Sequence, residues 1–349
     1  EKVATNQTKS LYDINKDVYD YLRYGIAVKE NVGDKNQTIE LINWNEAEKN
    51  DFYIAEEVTV VGEHEKRPDI VLYVNGIALG VIELKRSTKS VLNGIRQNLD
   101  NQKPEFIKQF FATIQLVMAG NDTEGLRYGV IETPEKYYLT WKEDCGIRIP
   151  LDNHLVAMCN KERLIELIHD FIIFDAGTKK IARHSQYFGV KATQLRLKKR
   201  EGGIIWHSQG SGKTLIMVWI SKWIRENVPD SRVLIITDRE ELDGQIENRF
   251  YGVDEEIYRT KSGDDLVEQL DNTKPWLLCS LIHKFRKSAK SDYDEDFDEI
   301  ISNLSTDFKA KGDIYVMVDE CHRTQSGKLH DAMEKIIPNA IFVGFTGTP

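Results

Sequence analysis

Cysteine is scarce in this 349-residue sequence: Cys145, Cys159, Cys279 and Cys321 lie far apart, with no CxxC pair. A disulfide framework or a zinc site would need cysteines at short, regular spacing, so neither is indicated, and a reducing cytoplasmic location is expected. Long hydrophobic runs are missing as well. The longest, such as Leu215 to Ile220 and Phe171 to Phe174, fall well short of the ~18 residues that cross a bilayer. The opening EKVATNQTKS has no apolar signal core, so a soluble chain with no membrane partner is expected. Positive charge is in deficit too: 47 Lys+Arg against 56 Asp+Glu leave a net charge of -9. That excludes a histone-like binder but allows a DNA enzyme that binds through local basic patches. Repeats and low-complexity tracts are also lacking. What is present is ordinary globular composition, 41% hydrophobic, in a length that allows two or three domains at roughly 150 residues each.

The texture of the sequence changes near residue 175. Before it, short β-type runs (Glu57 to Val61, Ile70 to Val74, Ala78 to Leu84) mix with helical segments. After it, strands and helices alternate regularly, which predicts one domain over 1–175 and a second over 176–349. Lys161 to Phe174 sets Leu164, Ile165, Leu167, Ile168, Phe171 and Ile172 on one helical face, with Gly177 as a stop, and predicts a connector helix trailing the first domain. In the second domain Gly203 to Trp206, Arg232 to Thr237, Trp276 to Ser280, Ile314 to Asp319 and Ile341 to Phe345 are short apolar runs, as buried parallel strands are. Helical segments at Leu215 to Glu226 and Leu329 to Ile337 complete a doubly wound pattern. The acidic stretch Lys287 to Lys311 is expected to be a solvated helix or mobile loop.

GGIIWHSQGSGKTLIMVWI reads as strand, glycine loop and helix. Gly210, Ser211 and Gly212 form a loop tight enough for backbone N–H groups to surround phosphates. Lys213 adds a positive charge near the β and γ phosphates, and the Thr214 hydroxyl can ligate Mg²⁺. His207 stands where the general phosphate-loop pattern has its first glycine. About a hundred residues on, VMVDECHRTQ is an apolar strand ending in adjacent carboxylates. Asp319 can hold Mg²⁺ and Glu320 can deprotonate or orient the water that attacks the γ phosphate. A lone acidic pair at a strand end is usually just the polar start of a loop; with GSGKT in the same sheet it becomes specific. GSGKT, DECH and FTGTP resemble motifs I, II and III of superfamily 2 helicases and translocases, which implies ATP as substrate and a RecA-like lobe. LIITDREELDGQI is similar to the segment of that family that touches nucleic-acid backbone. IARHSQYFGV resembles the helix supplying an adenine-reading glutamine, here Gln186 with Arg183; a surface amide is the alternative. LRLKKRE is expected to be a solvated helix end in preference to a DNA contact.

RPDIVLYVNGIALGVIELKRS carries a second chemistry. Asn75-Gly76 between apolar runs predicts a hairpin with a two-residue turn. Glu83 and Lys85, two apart, project from one face, and antiparallel pairing returns Asp69 to the same end. Such a cluster can bind Mg²⁺ through Asp69 and Glu83 while Lys85 steers water and offsets charge at a scissile phosphate. The bland alternative makes Asp69 a turn residue and Glu83 and Lys85 an exposed strand face. Against it, the charges follow directly on the buried-looking GVI, and Pro68 completes the form PD...ExK.

This pattern resembles the PD-(D/E)xK nucleases. NDFYIAEEV, RPDIVLYVNG, VIELKRS, QNLDNQ and IQLVMAGN, followed by HSQGSGKT and DECH, are similar to the R subunit of type I restriction-modification enzymes over nearly the whole chain. The resemblance implies an α/β chain: a nuclease domain with a mixed sheet flanked by helices, then the first RecA-like lobe. It implies ATP-driven translocation of duplex DNA, non-specific cleavage remote from the recognition site, and methyltransferase (M) and specificity (S) subunits as partners. A glutamine helix assists the nuclease of that family; Gln97 and Gln102 are the candidates, and Gln102 is favoured. A repair helicase-nuclease fusion and a nucleotide-gated DNA scaffold with an inert nuclease are the alternatives. A type III restriction subunit is disfavoured because its nuclease follows its motor. Since the sequence stops just after FTGTP, a second lobe is expected in a longer protein.

Overall fold

The computed structural model describes residues 9–29, 35–237, 240–281, 308–321, 331 and 333–348. The chain divides into two compact units, Glu1–His184 and Ser185–Pro349.

The first unit opens with α1 (Leu11–Tyr24), whose start is fixed by Ser10 accepting a hydrogen bond from the Asp13 N–H, and which buries Leu11, Ile14, Val18 and Leu22 along one face. A small antiparallel pair follows, β1 (Ile26–Val28) and β2 (Gln37–Ile39). The central sheet is built from β3 (Phe52–Glu56), β4 (Ile70–Val74), β5 (Ile77–Leu84), β6 (Leu116–Asn121) and β7 (Gly125–Gly129), in that spatial order. Only β5 and β6 pair in parallel, so the sheet is mixed. A parallel neighbour demands a crossover, supplied by α2 (Leu92–Asn101). The inner strands β5 and β6 are apolar on both faces, and Val81, Val117 and Ala119 meet Val91, Ile95, Ile107 and Phe111 in the core. Asn75 and Gly76 both have positive φ, 50° and 78°, as a two-residue hairpin turn requires. Glu57 to Val61, expected as a strand, lies beyond the end of β3, and Val60 makes only an isolated bridge to Lys66.

The expected connector helix is shorter than its apolar pattern. After α3 (Pro150–Cys159), α4 spans Lys161–Asp170, and the chain then forms a hairpin of β8 (Ile172–Asp175) and β9 (Thr178–Ile181). The reason is local: Ile172 and Ile173 are β-branched, and Ala176 and Gly177 take positive φ of 46° and 82°, so Gly177 turns a hairpin instead of ending a helix.

In the second unit α5 (His184–Lys198) leads into β10 (Gly203–Trp206), α6 (Lys213–Asn227), β11 (Ser231–Thr237), α7 (Glu240–Gly252), β12 (Tyr258–Arg259), α8 (Gly263–Asp271), β13 (Leu277–Leu281), β14 (Asp313–Val318) and β15 (Ile341–Thr346). The six strands form one parallel sheet in the order β10-β15-β14-β11-β13-β12. The α/β reading therefore holds in both parts: a mixed sheet with helices, then a RecA-like parallel sheet. Of the acidic stretch, 287–307 lies outside the described residues, as do 329, 330 and 332 of the helix expected at Leu329 to Ile337; 331 and 333–336 are helical. No helix among the described residues is long and apolar enough to cross a membrane.

Arg232, buried near the start of β11, donates to five main-chain carbonyls: Gln269 (2.7 Å), Asn272 (2.7 Å), Pro275 (3.0 Å), Leu270 (3.1 Å) and Lys311 (3.2 Å). It adds charged donors to the carbonyls at the end of α8, of which Gln269 and Leu270 also accept the N–H groups of Asn272 (3.3 Å) and Lys311 (2.9 Å). Replacing Arg232→Met keeps the volume and removes every donor. The second unit is expected to lose on the order of 2–5 kcal/mol of stability in a denaturant titration, whereas a change under 1 kcal/mol would show that these carbonyls find other partners.

Candidate active sites

In the first unit the hairpin brings Asp69, Glu83 and Lys85 together. Lys85 Nζ stands 3.5 Å from Glu83 Oε2 and 3.9 Å from Asp69 Oδ2. It also donates to the Leu84 carbonyl at 3.1 Å, and Asp69 Oδ2 accepts the Leu84 N–H at 2.7 Å, which pins the acid at the mouth of the hairpin. Glu83 is fully buried and so is no exposed strand face. Its Oε2 accepts from the Gln97 amide at 2.7 Å, while its Oε1 is buried with no hydrogen-bond partner. Burial, and then the neighbouring Asp69 carboxylate, push the Glu83 carboxyl up to about 8, with the Lys85 ammonium opposing.

The glutamine that meets Glu83 is Gln97, and Gln102, favoured from the sequence, lies apart from it. Helix α2 crosses β5 at Gly94, where a side-chain carbon would lie 3.0 Å from Ala119 Cβ and 3.3 Å from the Glu83 carbonyl. Three residues on, on the same helical face, Gln97 reaches Glu83. Gln102 is five residues further round the helix, about 140° away. There its amide donates to the Asn98 carbonyl at 3.0 Å and its oxygen accepts the Glu132 N–H at 2.6 Å, apart from the cluster. The signal available in the sequence was Gly94, the close-approach residue one turn before Gln97.

In the second unit the glycine loop joins β10 to α6. Gly210 and Gly212 have φ of 77° and 82°, conformations that only glycine adopts without strain. Gln186, in α5, is buried beneath this loop, donating to the carbonyls of Ser211 (2.8 Å) and Gly212 (3.4 Å). It is therefore not a surface amide. Arg183 is exposed just before α5, and Ser211 Oγ is buried without a partner. Thr214 sits in the first turn of α6, next to Lys213, whose Nζ lies 3.5 Å from the His207 carbonyl and 3.5 Å from Glu320 Oε1. Strand β14 delivers Asp319, buried and pushed up by that burial and by Glu320, which itself holds a positive φ of 49°. The segment after β15 returns to the loop: a side-chain carbon on Gly347 would lie 3.4 Å from Lys213 Nζ. Motifs far apart in the sequence thus converge beyond the carboxyl ends of β10, β14 and β15, where ligands of open α/β sheets bind.

The raised carboxyl of Glu83 has a consequence for stability. Below its ordinary value of 4.5 both folded and unfolded chains hold the proton; as pH rises, the unfolded chain ionises first while the folded one keeps its proton to about 8. Stability present at low pH is therefore lost across that window, by on the order of a few kcal/mol. In metal-free buffer Glu83→Gln is expected to gain stability over the unchanged chain progressively from pH 4.5 to pH 8. A difference between the two that stays flat with pH in parallel melts would contradict this.

Residues 1–136 match the family described as "Type I restriction enzyme R protein N terminus", and residues 185–349 match "SWI2/SNF2 ATPase". The chain is 29% identical to the putative type I restriction enzyme MjaIXP endonuclease subunit of Methanocaldococcus jannaschii, over 100% of this chain and 36% of that protein. It is 26% identical to the type I restriction enzyme HindI endonuclease subunit of Haemophilus influenzae, again over 100% of this chain and 36% of that one. It thus spans about a third of the length of these relatives. Among solved structures, the Sulfolobus solfataricus SWI2/SNF2 ATPase core in complex with dsDNA is similar at 14% identity and a TM-score of 0.38, over 52% of this chain and 34% of that one. The chain is thus similar over its whole length to type I restriction endonuclease subunits, with the R-protein N-terminal match in its first part and the SWI2/SNF2 ATPase match in its second.

Proposed function

We propose that the first unit is a Mg²⁺-dependent DNA nuclease and the second the ATP-hydrolysing lobe of a duplex-DNA translocase. In an assembly with M and S subunits the two would cut DNA non-specifically, away from the recognition site. The observation that carries this reading is Glu83: a carboxylate fully buried beside a second one, with an unpartnered oxygen. Two carboxylates presenting hard oxygen donors fit Mg²⁺, which is usually held by one or two such groups and keeps several waters. Asp69 and Glu83 would hold it. When bound, the ion offsets the charge that develops on the scissile phosphate and acidifies its water.

The remaining groups orient and balance charge. Gln97 occupies Glu83 Oε2 and leaves Oε1 available as a ligand; the Leu84 N–H holds Asp69 in place. Lys85, within 4 Å of both acids, orients the attacking water and compensates negative charge as the phosphodiester bond breaks. In the second unit the backbone of Gly210, Ser211 and Gly212 receives the phosphates of ATP, and Lys213 turns from Glu320 toward the γ phosphate. Thr214 and Asp319 would hold the cation, Glu320 would accept the proton of the attacking water, and Gln186 would support the loop from below and read the adenine.

In the assembled enzyme Asp69→Ala, Glu83→Ala or Lys85→Ala is expected to abolish DNA cleavage with ATP hydrolysis largely intact. Lys213→Ala is expected to cut ATP turnover by at least roughly 10²-fold and, because remote cutting requires translocation, to stop cleavage too. The test is a circular-plasmid cleavage assay beside a phosphate-release assay. Full cleavage by Glu83→Ala would overturn the nuclease reading, and normal cleavage by Lys213→Ala the coupled motor.

A further inference from the structure

Residues 86–90, the sequence RSTKS, form an exposed loop that leaves the candidate nuclease site directly after Lys85 and enters α2. Some exposed cations of this unit, such as Lys35, Lys142 and Arg148, pair with no carboxylate among the described residues, and others do. Arg67, Arg96, Lys103 and Arg163 of the same unit have one each. Arg86 and Lys89 pair with no carboxylate among the described residues, and the three residues with them, Ser87, Thr88 and Ser90, all carry hydroxyls. Two unpaired cations and three hydroxyls, the groups that most often contact phosphate oxygens, are thus concentrated in five residues beside the metal-binding pair.

The loop is also held firmly. The Lys89 N–H closes a turn on the Arg86 carbonyl at 2.8 Å. Asn121, buried at the end of β6, donates to the Lys89 carbonyl at 2.8 Å and accepts the N–H groups of Thr123 (3.0 Å) and Glu124 (2.6 Å). Glu124, the acid nearest the end of the loop, is itself engaged: its Oε1 accepts the Val91 N–H at 2.9 Å. The main chain is therefore anchored to the β6–β7 turn while the cationic side chains stay exposed. Lys89 lies four residues past Lys85, at most roughly 14 Å along the chain. On a strand that rises about 3.4 Å per phosphate, this spans at most about four phosphates from the one being cut.

We propose that residues 86–90 are a preformed seat for the phosphates of duplex DNA flanking the scissile one, with Arg86 and Lys89 as the contacting cations. The inference rests on the nuclease reading of the first unit and adds to it the source of grip: a contact blind to sequence, as non-specific cleavage requires.

The test is binding of two short duplexes of unrelated sequence to the full 349-residue chain, by fluorescence anisotropy, at about 50 to 200 mM salt with Ca²⁺ in place of Mg²⁺. The double variant Arg86→Gln, Lys89→Gln is expected to weaken both duplexes equally and to reduce the slope of log K against log salt by about 1.8, or 0.9 for each phosphate that is no longer neutralised. The exchange Arg86→Lys, Lys89→Arg should keep the slope, and Lys49→Gln, Lys103→Gln, at carboxylate-paired cations, should leave it unchanged. An unchanged slope in the first variant, a loss confined to one duplex, or no binding by the unchanged chain would overturn the seat. Cleavage by Glu83→Ala with Mg²⁺ separates the two readings. If that variant is dead and the slope is unaltered, the seat fails alone; if it cuts normally while the slope falls, the nuclease reading fails.

Discussion

Glu83 is a carboxylate removed from water in the middle of a sheet, with another carboxylate against it, and much of the first unit is arranged around that condition. A lone buried anion would be expelled or neutralised. Here the hairpin turn at Asn75-Gly76 together with a one-residue register shift between Leu72 and Tyr73 returns Asp69 to Glu83, and Lys85 leans back toward both. Gly94 lets α2 come close enough for Gln97 to take one oxygen. One oxygen stays without a partner, and the carboxyl holds its proton up to about 8. A divalent cation would relieve all of this at once, which is why a group unfavourable in the free chain makes sense as a binding site.

The second unit places its charges by a different device. Three parallel strands, β10, β15 and β14, end side by side, and each end passes into a segment with a chemical group: the glycine loop, the Gly347 turn, and Asp319 with Glu320. Burial pushes Asp319 up as it does Glu83, but here a lysine approaches from the loop, and Lys213 meets Glu320 at 3.5 Å. The sheet that fixes these ends depends on groups far from them, above all on Arg232, which ties the end of α8 to the start of β11. Chemistry at one edge of the sheet and carbonyl capping at the other belong to the same framework.

Elements whose physical cause is local were legible in the sequence. The Asn75-Gly76 turn, the apolar strands β4, β5, β10, β11, β14 and β15, and the glycine loop each carry their signal within a few residues, and the structure has them within a residue or two of expectation. That Asp69 returns to the end of the hairpin near Glu83 and Lys85 followed from antiparallel pairing, but its exact register rests on a bulge between Leu72 and Tyr73 that no residue pattern signals. The chain ran against expectation where one residue fits two periods: Phe171 and Ile172 satisfy a helical stripe and a strand equally, and the turn at Gly177 decided for the strand. The choice between Gln97 and Gln102 needed the crossing point of α2, which Gly94 marks but no spacing reveals. Arg232 was invisible because its partners are carbonyls up to 79 residues away.

The most direct measurement is the proton balance of Mg²⁺ binding. Calorimetric titration of the chain with Mg²⁺ at pH 7, in two buffers of different ionisation heat, gives the number of protons released per ion bound. With a carboxyl that holds its proton to about 8, binding should expel close to one proton, and Glu83→Gln should release none. Mg²⁺ binding with no proton release, or the same release from Glu83→Gln, would contradict the placing of the cation on the buried pair.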